Sequence, residues 1–110
     1  RGLSIRNSQL PNGWQCLTVE GEVDLATVPE LGVAIDSVAA ENSTPLVIDL
    51  RSSSFMDSTG LKTLVMANRR FDEMGRSFAI AVSAGPVSRL LDLSGVESSM
   101  RVVASTDELN

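Results

Sequence analysis

The sequence has no histidine and no tyrosine, and only one tryptophan and one cysteine. Without histidine, a Ser-His-Asp nucleophile cannot be assembled and imidazole metal ligands are missing. There is no Gly-x-Ser-x-Gly elbow, no P-loop and no EF-hand spacing of carboxylates. Asp57 and Ser58 are adjacent, but neighbours at a helix start point in different directions and do not make a catalytic pair. Independent catalysis is therefore not expected, and no cofactor is called for. The lone Cys16 cannot close an internal disulfide, and its apolar strand context reads as a buried structural thiol. No basic run occurs and the formal net charge is −5, which argues against a general nucleic-acid binder and against docking on anionic membranes. No stretch approaches the length of a membrane span and no signal-peptide pattern is visible, so the expected compartment is the cytoplasm. The chain opens on Arg1 rather than Met, which leaves room for a preceding segment and a longer parent chain.

What is present suffices for one domain over residues 1–110, with 43% hydrophobic residues and an aliphatic core. Leu3 to Gln9 alternates weakly and reads as an edge strand. Pro11-Asn12-Gly13 supplies a turn, and Trp14 to Glu20 returns as the second strand of a hairpin. Gly21-Glu22-Val23-Asp24 ends that strand. Thr27 and Glu30 have capping-box spacing, with Pro29 tolerated in the first turn. Val28, Leu31, Ala34, Ile35, Val38 and Ala39 then form one apolar helical stripe, until Asn42-Ser43-Thr44-Pro45 stops the helix. Pro45 to Leu50 is a nearly continuous apolar run, typical of a strand covered on both faces; Asp49 interrupts it and reads as an acceptor for loop amides.

Arg51 to Met56 reads as a loop anchored by Phe55 and Met56, an exposed partner contact being the alternative for these two. A second helix spans about Ser58 to Met74, with Leu61, Leu64, Ala67, Phe71 and Met74 inward and Gly75 as its cap. Ser77 to Val82 is another strand, Gly85-Pro86 opens a short helix closed by Gly95, and Met100 to Val103 is the last strand. Ser105 and Glu108 have capping-box spacing for a C-terminal helical stub. Strand–helix alternation implies parallel strands joined by right-handed crossovers, with an antiparallel edge strand added by the hairpin. The expected fold is α/β: a mixed, mostly parallel sheet with packed helices.

The chemistry concentrates where the Leu46–Leu50 strand feeds the second helix, the end of a strand at which α/β proteins keep their sites. Ser58 falls on the first turn of that helix, where orphan N–H groups and the helix dipole welcome an anion. A phosphate on Ser58 would bring nearly two negative charges and three acceptor oxygens, opposed by Asp57. The same residues also suit plain capping, because Asp, Ser and Thr are preferred N-caps and Gly60 permits close packing. Asp24 likewise suits a turn, and Lys62, one turn beyond Ser58, suits an ordinary exposed lysine.

Ser54-Phe55-Met56-Asp57-Ser58-Thr59-Gly60-Leu61 resembles the signature of the anti-sigma factor antagonists, the bacterial members of the STAS domain family. Gly21-Glu22-Val23-Asp24 resembles a second element of that family, and the order of elements is similar over nearly the whole chain. Arg51-Ser52-Ser53 departs from the family pattern outside the signature and bears on partner choice alone. The resemblance implies that Ser58 is phosphorylated by a partner kinase. It also implies that Asp24 lies near that serine, on a face with Asp57, Ser58, Thr59, Gly60 and Lys62 that the partner sees. The implied partners are an anti-sigma factor that is also a serine kinase using ATP, and a serine phosphatase that resets the switch; a monomer in isolation is expected. Two other readings stay open: a non-switching scaffold or transporter-associated STAS domain, and a sensor that binds a small anion or nucleotide at the helix start.

Overall fold

A computed structural model describes residues 2–41 and 43–110; Arg1, and Asn42 of the expected helix stop, lie outside the described residues. The hairpin forms as its turn chemistry dictates. Strand β1 (Ser4–Gln9) pairs antiparallel with β2 (Gln15–Val23), and Gly13 takes a φ of 91° in the turn between them. The remaining elements are α1 (Val28–Glu41), β3 (Leu46–Asp49), β4 (Ser53–Met56), α2 (Ser58–Glu73), β5 (Phe78–Ala81), α3 (Pro86–Ser94) and β6 (Arg101–Val103). Single 3₁₀ turns follow α3 at Val96–Ser98 and β6 at Thr106–Glu108. The main sheet has the order β1-β2-β3-β5-β6, and every pairing except β1 with β2 is parallel. The expected mixed sheet with an antiparallel edge is thus the observed one.

Alternation along the strands sorts side chains between two cores. Leu17 and Val19 of β2, Leu46 and Ile48 of β3 and Ile80 of β5 pack against Leu31, Ile35 and Val38 of α1, Leu64, Ala67 and Phe71 of α2, and Val87 and Leu91 of α3. The intervening residues Cys16, Val47, Ala79 and Ala81 face a smaller cluster with Trp14, Val103 and Leu109. The second face of β3 is therefore covered by the chain end and not by a helix. Trp14 Nε1 donates to the Asn110 carbonyl at 3.1 Å and Asn12 Nδ2 to the Leu109 carbonyl at 3.1 Å, which ties that end to the hairpin turn. The capping box of Ser105 and Glu108 does form, but it holds only a 3₁₀ turn.

Three local expectations are corrected. Arg51 to Met56 is not simply a loop: its second half is β4, which adds parallel to the C-terminal half of β2. Strand β2 serves the two partners in succession, β3 along Gln15–Thr18 and β4 along Gly21–Val23, and the β4 ladder slips by one residue at Ser54, beside Gly21, which takes a φ of 109° that L side chains rarely adopt. The Thr27–Glu30 box does not form; Glu30 instead accepts from the Leu3 N–H at 3.2 Å, across to the edge of the sheet. Met74 is 42% exposed, because the helix has already ended at its cap and Gly75 turns the chain at a φ of 69°.

Candidate functional site

The site is built where the C-terminal half of β2, the end of β4 and the start of α2 meet. The Asp57 N–H donates to the Val23 carbonyl at 3.0 Å, which joins the entry of α2 to β2. Asp57 is the N-cap, extended at φ −103° and ψ −173°, and its Oδ1 accepts from the N–H of Thr59 at 2.9 Å and of Gly60 at 3.4 Å. The Thr59 hydroxyl donates to the same oxygen. That hydroxyl, against the opposing effect of burial and aided by the backbone N–H groups of Gly60, Thr59 and Leu25, holds the Asp57 carboxyl below the ordinary carboxylate range.

Gly60 is what allows this proximity. A Cβ there would stand 2.7 Å from Met56 Cγ and 2.8 Å from Val23 Cγ1, so the first turn of α2 rests directly on the ends of β4 and β2. Phe55 and Met56 accordingly divide the roles proposed for them. Met56 is buried and anchors the strand end, whereas Phe55 is 43% exposed and does not.

Asp24 keeps the turn role, one residue beyond Val23, whose carbonyl holds the Asp57 N–H. Its Oδ1 accepts from the N–H groups of Ala26 at 3.0 Å and Thr27 at 3.1 Å, a side-chain-closed turn. The buried Thr27 hydroxyl donates to the Glu22 carbonyl at 2.7 Å and accepts from the Asp24 N–H at 3.0 Å, which stiffens the same turn. The N–H of Leu25, next in sequence, is the weakest of the influences that lower the Asp57 carboxyl, while the Leu25 side chain is 74% exposed. The turn after β2 and the start of α2 thus share one surface. Leu25 was not legible as part of it: an isolated Leu in a turn carries no pattern, and only the turn closed by Asp24 puts it there.

Ser58 sits in the first turn of α2, exposed, and its hydroxyl makes no hydrogen bond among the described residues. Lys62 is exposed one turn on, four residues along the helix. Thr59 is half-buried and points its hydroxyl back to the cap. One expectation changes here. The N–H groups of Thr59 and Gly60 are already taken by Asp57, so a phosphate on Ser58 would compete with a carboxylate for them. Among side chains on its own helix, Lys62 is the nearest cation to such a group. At the end of β3, Asp49 accepts from the Arg51 N–H at 3.1 Å, as expected of a loop-amide acceptor, and also from the Arg51 guanidinium at 2.9 and 2.8 Å. Burial alone would raise the Asp49 carboxyl, but the Arg51 bonds outweigh it and hold it low. Arg51, the departure from the family pattern, is thereby committed to β3. Cys16 is buried, and burial pushes its thiol up, in line with a structural role.

No group of three or more potential metal ligands exists among the described residues, and no helix among them is long and apolar enough to cross a membrane. The STAS domain family model matches residues 7–109. The chain belongs to the STAS domain family. Among curated proteins, this STAS chain is 33% identical over 94 residues to an anti-sigma-F factor antagonist, RsfB, of Mycobacterium tuberculosis, covering 86% of this chain and 76% of that protein. It is 30% identical over 89 residues to an anti-sigma-B factor antagonist of Staphylococcus epidermidis, covering 81% of this chain and 82% of that one. Among solved structures, an anti-sigma factor antagonist from Mycobacterium paratuberculosis superposes with a TM-score of 0.89 at 26% identity, over 96% of this chain and 89% of that one. These relatives are named for antagonism of another protein, a binding role and not catalysis.

Proposed function

We propose that this STAS domain is an anti-sigma factor antagonist switched by phosphorylation of Ser58. In the unphosphorylated state, the surface formed by Asp24, Asp57, Ser58, Thr59, Gly60 and Lys62 binds an anti-sigma factor that is also a serine kinase, and the sigma factor is released. The kinase transfers a phosphoryl group from ATP to Ser58, and a serine phosphatase removes it. The observation that carries this reading is the state of the Ser58 hydroxyl. It is exposed and without a hydrogen-bond partner among the described residues, on a helix start held by a capped Asp57 and a close-packed Gly60. A phosphate placed there changes charge at the surface without requiring the fold to move. It lies beside Asp57, which adds like-charge repulsion, and it costs desolvation wherever a partner covers it. The relatives named as anti-sigma factor antagonists support the partner class.

The occupied N–H groups weigh against the small-anion sensor. A free anion would have to displace the Asp57 carboxylate from Thr59 and Gly60, whereas a covalent phosphate needs no such vacancy.

The test combines phosphopeptide mapping of the protein from its native cells with binding to the kinase retrieved by Ser58→Ala. A phosphatase-sensitive mass gain of one phosphoryl group at Ser58 is expected. Ser58→Ala is expected to bind persistently and Ser58→Asp at least tenfold more weakly. Equal binding by both variants and wild type would return Ser58 to a capping-turn residue.

A further inference from the structure

Helix α2 begins with its hydrogen-bonding capacity almost fully engaged. A helix start leaves its first four N–H groups without intrahelical acceptors. Here the Asp57 N–H goes to the Val23 carbonyl at 3.0 Å, and the N–H groups of Thr59 and Gly60 go to Asp57 Oδ1 at 2.9 and 3.4 Å. The Thr59 hydroxyl holds the same oxygen. That leaves the N–H of Ser58 itself. Lys62 is in the opposite state: it is exposed, and its ammonium makes no hydrogen bond or ion pair among the described residues. It follows Ser58 by one turn of α2, so the two side chains share a face with Cβ atoms about 5–6 Å apart. Helical side chains lean toward the N-terminus, which carries Lys62 toward Ser58. Other cations are engaged or distant. Arg51 pairs with Asp49 at 2.8 Å, Arg70 with Asp36 at 2.6 Å, and Arg76 donates to the carbonyls of Thr44 and Ala39 at 2.8 and 3.1 Å. Arg69 lies roughly 16 Å from Ser58 along the axis of α2.

We infer that a phosphate on Ser58 is received by the Lys62 ammonium and not by the helix N–H groups, so that phosphorylation withdraws Lys62 from the partner. The inference rests on the Ser58 reading and specifies how that switch acts. An acidic group one turn N-terminal to a lysine is the favourable order for such a pair, and a phosphate brings nearly two negative charges and three acceptor oxygens to it. Ammonium-to-phosphate hydrogen bonds are charge-assisted and roughly twice as strong as neutral ones. Moving the phosphate onto Thr59 and Gly60 would instead strand the Asp57 carboxylate beside it. Lys62 is the one cation among the residues of the proposed partner-facing surface. The unphosphorylated chain offers that cation to an acidic group of the kinase. The phosphorylated chain keeps it for itself, adds an anion, and leaves the Asp57 cap as it was.

For the test, phosphoserine is installed at position 58 of the full chain by amber suppression, which makes the result independent of the native kinase. Phosphorus NMR follows ionisation of the phosphate in the otherwise unaltered chain and in Lys62→Gln, Lys62→Arg and Arg89→Gln, Arg89 being an exposed cation of α3. Lys62→Gln is expected to raise the second phosphate pKa, ordinarily about 6, by about 0.3 or more, Lys62→Arg to restore it, and Arg89→Gln to leave it unchanged. Equal values with and without Lys62 would overturn the pairing. So would a strong downfield move of the Thr59 and Gly60 amide protons as the phosphate ionises, which would put it on the helix start. A shift caused by Arg89→Gln in place of Lys62→Gln would assign the phosphate to α3 and overturn the inference. Binding is read separately, by calorimetry of the unphosphorylated chain with the kinase retrieved by Ser58→Ala. Because Lys62 is exposed, Lys62→Gln is expected to keep the thermal midpoint and to weaken binding about twofold to fivefold. Unchanged binding would overturn the withdrawal of Lys62 from the partner. A phosphate pKa that depends on Lys62, with no phosphate on Ser58 in native cells, would support the pairing and overturn the switch.

Discussion

Two helical glycines are expected to respond to alanine with opposite signs. At Gly60 the added Cβ meets Met56 Cγ at 2.7 Å, Val23 Cγ1 at 2.8 Å and Met56 Sδ at 3.2 Å. Met56 can rotate part of the way, but it is itself buried, and the β-branched Val23 is stiff at χ1 and fully buried. Overpacking of this kind costs about 1–3 kcal/mol. The helix-propensity gain of Ala over Gly returns up to about 1 kcal/mol, less in the first turn than in a helix interior. A net loss of about 1–2 kcal/mol corresponds to a fall in thermal midpoint of roughly 4–10 °C for a domain of this size. At Gly32 the same methyl meets nothing within 4 Å, so only the propensity term acts. Gly32→Ala is therefore expected to gain close to 1 kcal/mol and to melt a few degrees higher. Thermal and urea melts of the two variants beside wild type decide the matter. A Gly60→Ala midpoint at or above wild type would refute the claim that close approach of α2 to β2 and β4 requires glycine. A Gly32→Ala midpoint below wild type would show that Gly32 has a role inside the fold.

Asp57→Ala removes the cap acceptor of α2 and is expected to cost about 1 kcal/mol in urea unfolding, while Asp57→Asn, an equally good N-cap residue, should recover most of it. Asp49 and Asp57 are both held below the ordinary carboxylate range in the folded chain. Their contribution to stability is therefore full above the unfolded carboxylate pKa of about 3.9 and is lost as pH falls through the lowered native values. Asp49→Asn should flatten the acid limb of a stability–pH curve, and an unchanged limb would place the Arg51 bonds among those that contribute nothing. Cys16 is buried with its thiol pushed up, so a thiol reagent at neutral pH should label it only as fast as the chain opens, and at once in urea. Trp14→Phe deletes the indole bond to the Asn110 carbonyl, a loss of about 1 kcal/mol readable in the same melts.

Most elements were legible because local rules and tertiary packing agreed. The turn at Pro11-Asn12-Gly13, the apolar stripes of α1 and α2, the glycines that bound α3 and the alternation of strands and helices each appear in the structure with shifts of a residue or two at their ends. Strand β4 was not legible, because Ser53-Ser54-Phe55-Met56 has no strand period of its own and pairs only because β2 runs on past the residues that β3 covers. Glu30 has the right spacing for a local box, yet a partner distant in sequence, the Leu3 N–H, takes its carboxylate. Spacing counts residues along one helix and says nothing about competing donors elsewhere.

The residue types and their order alone determined the absence of histidine chemistry, the family signature from Ser54 to Leu61, and a serine on the first turn of a helix at a strand end. These depend on composition and on neighbours within a few positions. Only the tertiary structure decided that Asp57 already fills the Thr59 and Gly60 N–H groups, that the Val23 carbonyl holds the Asp57 N–H, and that Gly60 is required by packing while Gly32 is not. Each of those depends on which atoms of distant segments come within bonding or clashing distance, a quantity that appears only when β2, β4 and the two long helices are packed on one another.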